Sequence, residues 1–506
     1  MQPRRVNTGA APNPAQTMDI LLAHGYFIAE DAHEQAIMKP YPPLGLLYIS
    51  SHLKARGFDV AIFDSTFRTF ADFVATIKEA RPPRVGLYCN LMTKQNVLRM
   101  IAVCREHGAR VILGGPEPVS YAAAYLAAGA DVVVVGEGEE TLEELIPLMQ
   151  AAKAPDLSHV RGIIYAAGRA ATGEVGEVVR TPPRPYIQDL SAQPWPDREA
   201  IDLERYLQTW ERHHGARSTS LITARGCPYT CTWCSHTVFG HSHRRRAPAD
   251  VADEVAYLVD RYRPDQLWYA DDVLTIAHRW FLAYAEELEQ RGLRVPFECI
   301  SRADRLNETI VNTLAEMGCY RLWIGSESGS QRILDGMKRK ADVADVQAKT
   351  KLLQSRGIQV GMFIMFGYEG EEISDIEATV EHLKKARPDQ FLTTVAYPIK
   401  GTDYYEAVED RIIAEDPWEE RTDRDLQIAG RHSPAFYEAA TRWVVNEVAL
   451  HREWHGERRP FRLAKLFLNA RRGRFGMALN RRNREDDERV PAGRGWAAEE
   501  RAADGW

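Results

Sequence analysis

Three cysteines, Cys227, Cys231 and Cys234, stand at C-x3-C-x2-C spacing in the stretch Ala224-Arg225-Gly226-Cys227-Pro228-Tyr229-Thr230-Cys231-Thr232-Trp233-Cys234-Ser235-His236. They follow a short apolar run at 220–223, so a strand must end at once in a tight turn that brings three thiolates to one face. Such a turn can hold an iron–sulfur cube through three irons and leave the fourth without a protein ligand. An open iron is a chemical site, because a small molecule with an amine and a carboxylate can chelate it and accept an electron through it. The same cysteines with His236 would also suit a Cys3His zinc site, and inert packed thiols are a third reading.

A chain of 506 residues is too long for one core, so two or three domains are expected. Its composition, 45% apolar and 27% charged with a formal net charge of -7, is that of a soluble globular protein. No apolar run approaches the length of a membrane span and the N-terminus has no signal-peptide core, so a cytoplasmic location is expected. Seven cysteines, three of them clustered, argue against a disulfide framework. Cys89, Cys104, Cys299 and Cys319 lie in apolar segments and read as small buried hydrophobes. The Pro/Ala/Asn-rich residues 1–17 and the tail 485–506 are expected to be disordered.

From residue 18 to 150, apolar runs at 19–23, 60–63, 85–88, 111–113 and 132–135 alternate with helical spacing at 44–55, 70–80, 94–107 and 120–128. This alternation predicts an α/β, doubly wound parallel sheet of flavodoxin-like type, whose ligands bind outside the carboxyl ends of its strands. The binding edge would then be built from 90–93, Gly114-Gly115-Pro116-Glu117-Pro118 and Gly136-Glu137-Gly138-Glu139. Neither Gly-containing turn is a G-x-G-x-x-G fingerprint, so nicotinamide binding is not indicated. Residues 151–215, dense in Pro and Gly, read as a connector containing one hairpin.

From 216 to 402, six strands (220–224, 266–269, 297–300, 321–324, 360–366, 391–396) alternate with helices, Ser374 and Glu377 making a capping box for the last. Six βα units predict a partial parallel barrel with its chemistry at the carboxyl ends of the strands, where the cysteine loop also falls. Other strand ends carry Asp271 and Asp272, suited to accept from an amino group, and Arg302, suited to clamp a carboxylate.

The cysteine spacing, with Trp233 directly before the last cysteine, resembles the signature of the radical S-adenosylmethionine (radical SAM) superfamily. The resemblance implies a 4Fe-4S cluster on Cys227, Cys231 and Cys234, S-adenosyl-L-methionine as cofactor, and Trp233 close to it. Gly325-Ser326-Glu327-Ser328-Gly329 is similar to the family's segment near the cofactor ribose, which implicates Ser326 and Glu327. The turn Phe366-Gly367-Tyr368-Glu369-Gly370 resembles one that usually has proline where Glu369 stands. Pro42-Pro43-Leu44-Gly45-Leu46, the Gly114-Gly115-Pro116 turn and the run from 136 to 141 resemble the cobalamin-binding domain that precedes the barrel in one large radical SAM class. That places Gly114, Gly115, Glu137 and Gly138 at cobalamin, with a ligand-free flavodoxin-like domain as the alternative. Asp31-Ala32-His33 approaches an Asp-x-His-x-x-Gly cobalt-ligand motif, but Ala36 replaces the glycine, so His33 reads as a surface histidine and cobalamin is expected without a protein imidazole.

The family reading implies a cobalamin-dependent enzyme that methylates an unactivated carbon of a small-molecule substrate. Ring formation or rearrangement without methyl transfer, as in the anaerobic magnesium-protoporphyrin ester cyclase, is the nearest alternative, and a non-catalytic cobalamin sensor is another. An external electron donor of flavodoxin or ferredoxin type is implied, and no nucleic-acid partner is expected. Residues 403–484 read as a helical C-terminal region in which 458–484 is basic and interleaved with apolar residues. That segment suits packing on the barrel or peripheral contact with a membrane, and with the latter a hydrophobic or lipid-like substrate.

Overall fold

The computed structural model describes residues 18–152, 154–169 and 175–481; the ends expected to be disordered lie outside the described residues. The chain forms two compact units, one comprising Met1–Arg217 with Thr237–Phe239, the other Ser218–His236 with Gly240–Trp506.

The first unit carries a seven-stranded sheet in the order β2-β1-β3-β4-β5-β6-β7. The strands are β1 (Ile20–His24), β2 (Val60–Phe63), β3 (Arg84–Tyr88), β4 (Arg110–Gly114), β5 (Val132–Val134), β6 (Ile163–Arg169) and β7 (Val175–Arg180). Helices α1 (Ala32–Ile37), α2 (Leu44–Ala55), α3 (Phe70–Ala80), α4 (Lys94–Glu106), α5 (Ala122–Ala127) and α6 (Glu139–Ala151) connect the strands, and α7 (Leu203–His214) ends the unit. The first five strands are parallel. Helices cover both faces of such a sheet, so its strands need unbroken apolar runs, and β1 is buried at every position. Leu22, Ile112 and Val134 pack with Leu142, Leu145 and Ile146 of α6 in its core. The strand order reverses at β1, which opens a crevice at the carboxyl ends of β1 and β3.

The hairpin expected in the connector is β6–β7, and it extends the sheet: β6 runs antiparallel to β5, with Val133 opposite Ile164. Without it β5 would be an edge with a row of unpaired backbone groups. The Pro-rich chain after it holds only single 3-10 turns at Leu190–Ala192 and Arg198–Ala200, since proline has no N–H to continue a helix.

In the second unit six parallel strands stand in chain order, β8 (Ser218–Leu221), β11 (Gln266–Tyr269), β12 (Phe297–Ser301), β13 (Cys319–Glu327), β14 (Gln359–Phe366) and β15 (Gln390–Val395). A small antiparallel ribbon, β9 (Ala224–Arg225) with β10 (Arg244–Arg245), lies between β8 and β11 in the chain. The helices are α8 (Pro248–Tyr262), α9 (His278–Gln290), α10 (Glu308–Met317), α11 (Gln331–Gly336), α12 (Val343–Ser355) and α13 (Ile373–Ala386). β8 and β15 are the two ends of the sheet, so this is a partial, open (βα)6 barrel. The capping box expected at Ser374 and Glu377 is formed instead by Glu372 and Asp375. Asp375 also accepts from Ser330 Oγ at 2.6 Å, a tertiary partner that holds its carboxylate at the helix start.

The C-terminal region is helical: α14 (Asp403–Val408), α15 (Pro434–His455) and α16 (Pro460–Leu479). Phe436, Ala440, Trp443, Val444 and Val448 of α15 belong to the same core as Tyr269, Leu322, Met362 and Ile364 of the strands. Among the described residues no helix is long and apolar enough to cross a membrane.

Candidate active site

The cysteine loop leaves the carboxyl end of β8 and is pinned at its base by the β9–β10 ribbon, where Arg225 pairs with Arg244 and Ala224 with Arg245. Asp271, at the end of β11, accepts from Thr223 N at 2.7 Å and Ala224 N at 3.2 Å, and from the Thr223 hydroxyl. Arg245 completes the base: its Nη1 reaches Asp271 Oδ2 at 3.4 Å, its Nη2 donates to Val273 O at 3.1 Å, and its guanidinium covers the Trp280 ring. Asp271 is fully buried and its acceptor sites are spent on the loop. In these contacts Asp271, expected to receive a cofactor amine, shapes the turn.

Thr232, between the second and third cysteines, ties the loop to three other elements. Its N–H donates to Met337 O at 3.1 Å, its carbonyl accepts from Tyr404 N at 2.9 Å, and its hydroxyl bonds the Tyr368 phenol at 2.7 Å. Trp233 donates its indole N–H to Tyr397 O at 2.8 Å and sets its ring edge-on to Tyr397. Two of the three cysteines are thus held by bonds of the residues between them, and Cys234 N donates to Cys231 O at 3.2 Å.

Arg339 donates to Cys231 Sγ at 3.5 Å, to Gly325 O at 2.9 Å, and faces Glu327 at 3.5 Å. Arg302 Nη1 lies 4.0 Å from the same sulfur. The Cys231 thiol is lowered to about 5, first by the hydrogen bond from Cys234 and then by the charges of Arg339 and Arg302. Cys234, which donates that bond, is pushed up, and Cys227 is raised by burial. His236 turns its Nδ1 to Gly240 O at 3.3 Å and sets its ring tilted against that of His241. Among the described residues no group of three or more His, Cys, Asp or Glu side chains is already gathered as a metal site, the three cysteines included.

Arg302 is buried and engaged: Nε bonds Asp304 at 2.8 Å, Nη2 donates to Arg339 O at 2.8 Å and Lys340 O at 3.1 Å, and the guanidinium lies over the Tyr229 ring. Arg302, expected as a carboxylate clamp, thereby braces the loop bearing Arg339. Ser326 is the residue expected near the cofactor ribose. It is wholly buried and its Oγ meets His382 Nε2 at 2.9 Å, pointing it at α13. Glu327 follows it in a left-handed conformation, φ 60°, at an irregularity in the β13–β14 pairing. Burial raises its carboxyl although Arg339 opposes the shift. Asp272, just beyond the end of β11, is exposed, and the nearby protein, with the charge of Asp271, raises its carboxyl.

Arg339 and Arg245 were not singled out from sequence. Each sits in a basic triplet, Lys338-Arg339-Lys340 and Arg244-Arg245-Arg246, that reads as a solvated charge run. The available signal was position, directly after an apolar helix end or a ribbon next to the cysteines.

At the carboxyl edge of the first sheet, Gly114 has open space where a side chain would stand. The other three expected positions make close contacts within the protein. Gly115, at φ 107°, is packed so closely that a Cβ would lie 2.1 Å from Cys89 O, and one on Gly138 would lie 2.9 Å from Ile49 Cδ1. Glu137 is buried and accepts from Ile187 N at 2.8 Å. Cys89 is more than a packed hydrophobe: its sulfur lies 3.2 Å from Tyr125 OH, which donates to Glu117. His33 is 81% exposed and Asp31 caps α1, while His24, at the end of β1, gives its Nε2 to Asp64 at 3.0 Å.

Three thiols on one irregular loop, with guanidinium groups favouring the thiolate form of Cys231, are a donor set suited to an iron–sulfur cluster. The open backbone at Gly114, at the end of β4, suits close approach of a bulky ligand. The B12 binding domain family matches residues 37–146 and the radical SAM superfamily matches residues 221–383. An uncharacterised methyltransferase of Pyrococcus horikoshii is 27% identical, over 80% of this chain and 86% of its own. The anaerobic magnesium-protoporphyrin IX monomethyl ester cyclase of Rubrivivax gelatinosus is 26% identical, over 74% of this chain and 67% of its own. Among solved structures, the cobalamin-dependent S-adenosylmethionine radical enzyme OxsB with aqua-cobalamin bound has the same fold at a TM-score of 0.69 and 16% identity, covering 91% of this chain and 72% of its own.

Proposed function

Because the chain belongs to the radical SAM enzymes that carry a cobalamin-binding domain, we propose that it methylates an unactivated carbon of a small molecule, with Cys227, Cys231 and Cys234 as ligands of its 4Fe-4S cluster. The observation that carries this reading is the cysteine loop pinned at the carboxyl end of β8, with Arg339 beside Cys231, in a chain that also holds a B12-binding domain. When bound, the cluster with S-adenosyl-L-methionine would supply radical chemistry at an unactivated carbon, and cobalamin a transferable methyl group.

The chain's own residues position these groups. Asp271, Thr223 and Arg245 hold the base of the loop rigid, and Thr232 and Trp233 fix the second and third cysteines. Arg339 and Arg302 put positive charge beside Cys231 and would balance negative charge at the cluster. Asp272, exposed just beyond the end of β11, accepts from the ammonium of S-adenosyl-L-methionine, and Glu327 faces the same mouth. Gly114 would admit cobalamin to the first sheet's edge; His33 is 81% exposed and His24 is bonded to Asp64. An external flavodoxin- or ferredoxin-type carrier reduces the cluster, and residues 458–484 contact a membrane surface.

The test is anaerobic incubation of reduced, cluster-loaded protein with S-adenosyl-L-methionine, with and without cobalamin. Methyl transfer predicts cobalamin-dependent release of S-adenosylhomocysteine beside 5'-deoxyadenosine. If 5'-deoxyadenosine forms alone, ring formation or rearrangement replaces methylation, and if neither forms the protein is a cobalamin sensor.

A further inference from the structure

α16 packs on α15 through its smallest residues. A Cβ on Gly473 would stand 2.5 Å from Trp443 N, one on Gly476 would stand 3.0 Å from Ala439 Cβ, and Ala470 and Met477 are buried between them. With small residues used for packing, the large apolar ones point away from the protein: Phe461 is 94% exposed, Leu468 55%, Phe475 65% and Leu479 69%. Their spacing of i, i+7, i+14 and i+18 places all four on one stripe of the helix. The basic, apolar-interleaved segment therefore both packs on the barrel's helices and presents an unpartnered apolar face.

The charges follow the same division. α16 contains Arg462, Lys465, Arg471, Arg472 and Arg474 and neither Asp nor Glu, in a chain whose formal net charge is -7. Arg462 and Arg474 are held inward, by Glu453 at 3.2 Å and by Glu377. Lys465, Arg471 and Arg472 make no ion pair among the described residues, and helical geometry sets them on both flanks of the apolar stripe. Beside the stripe, between α15 and α16, runs a groove of about 460 Å³ whose apolar wall (Leu450, Trp454, Leu463, Ala464 and Phe467) faces Lys384, Glu447, His451 and His455.

An apolar stripe bordered by cations, without acidic residues, matches a bilayer whose surface is anionic: the stripe enters the acyl boundary and the cations meet phosphates. A nucleic acid would leave four large apolar side chains in water. A second copy laid on the stripe would bring two cationic borders together. We propose that α16 is a docking helix lying in the plane of an anionic membrane, with Phe461, Leu468, Phe475 and Leu479 inserted and Lys465, Arg471 and Arg472 on the headgroups. The proposal specifies the membrane contact named above and is independent of the chemistry of the cysteine loop, so either can fail alone.

Flotation of the full-length, cofactor-loaded protein with vesicles tests it, using phosphatidylcholine alone and phosphatidylcholine mixed with phosphatidylglycerol. The expected result is binding to the anionic vesicles that weakens with salt. Lys465→Gln, Arg471→Gln and Arg472→Gln should each lower the partition by about fivefold. The double variant Phe461→Ser/Phe475→Ser, which keeps every charge, should lower it by more than about tenfold. All positions are exposed, and unchanged thermal melting by circular dichroism establishes that each variant is folded. Absence of flotation, equal binding to phosphatidylcholine alone, or unchanged binding by the double variant overturns the proposal. A dimer in light scattering that the double variant dissociates overturns it in favour of self-association.

Discussion

Arg339 places one positive charge 3.5 Å from Cys231 Sγ, with Glu327 on its other side and Gly325 O beneath it. A cation that donates to a cluster thiolate makes the reduced, more negative state easier to reach. Arg339→Met should therefore lower the midpoint potential of the loaded cluster by roughly 100–150 mV, the size of one charge about 5–7 Å away at an effective dielectric of about 20. Arg339→Lys should recover much of the loss. Potentiometric titration followed by electron paramagnetic resonance checks both, and an unchanged potential in the methionine variant would remove Arg339 from the site. At this scale the cysteines were legible in the sequence, because the ligand type and spacing carry the chemistry. Which polar neighbours face the mouth was not. Asp271, Arg302 and Ser326 are claimed by backbone and side-chain partners far along the chain, whereas Arg339 is delivered to the cysteines from inside a charge run.

At the scale of elements, the contact between β13 and α13 shows how such claims are made. Gly329 lets the chain pass α13 so closely that a Cβ there would lie 2.5 Å from Ala378 O. Ser328 Oγ meets Thr379 Oγ1 at 3.3 Å, and Ser326 meets His382. His382, buried and also bonded to Gln347 at 3.2 Å, is lowered to about 4, chiefly by burial and then by Lys385. Its native value is depressed, so between its ordinary value of 6.5 and about 4 the unfolded chain binds the extra proton. Stability is therefore intact above that window and falls as the pH drops through it, by up to about 3 kcal/mol. Urea melts across this range should show the slope, and His382→Gln should flatten it even if the variant is less stable at neutral pH. An equal slope in the variant would assign the acid sensitivity to other groups. Element existence was readable from apolar periodicity, yet the cap of α13 shifted to Glu372 and Asp375 because Ser330, distant in sequence, holds Asp375.

For the whole molecule, each unit has its own core, one around β1, β4 and α6, the other running through the barrel strands and α15. Separate cores should unfold in separate transitions. Cobalamin at about a hundredfold excess over its dissociation constant should raise only the first unit's transition, by about 2.7 kcal/mol. Differential scanning calorimetry with and without hydroxocobalamin distinguishes this from a shift of the barrel's transition, which would move cobalamin away from the Gly114 edge. The sequence by itself determined two runs of alternating strand and helix, the open character of the second sheet and the three thiols at its first strand end, because backbone periodicity and ligand spacing are local properties. Tertiary structure alone decided that the hairpin in the Pro-rich stretch seals the edge at β5, that Glu137, Gly115 and Gly138 serve packing, and that α16 turns its glycines inward and its phenylalanines out. The physical reason is competition. A polar or apolar side chain goes to whichever partner costs least to bury it against, and those partners are brought together only when the chain has folded.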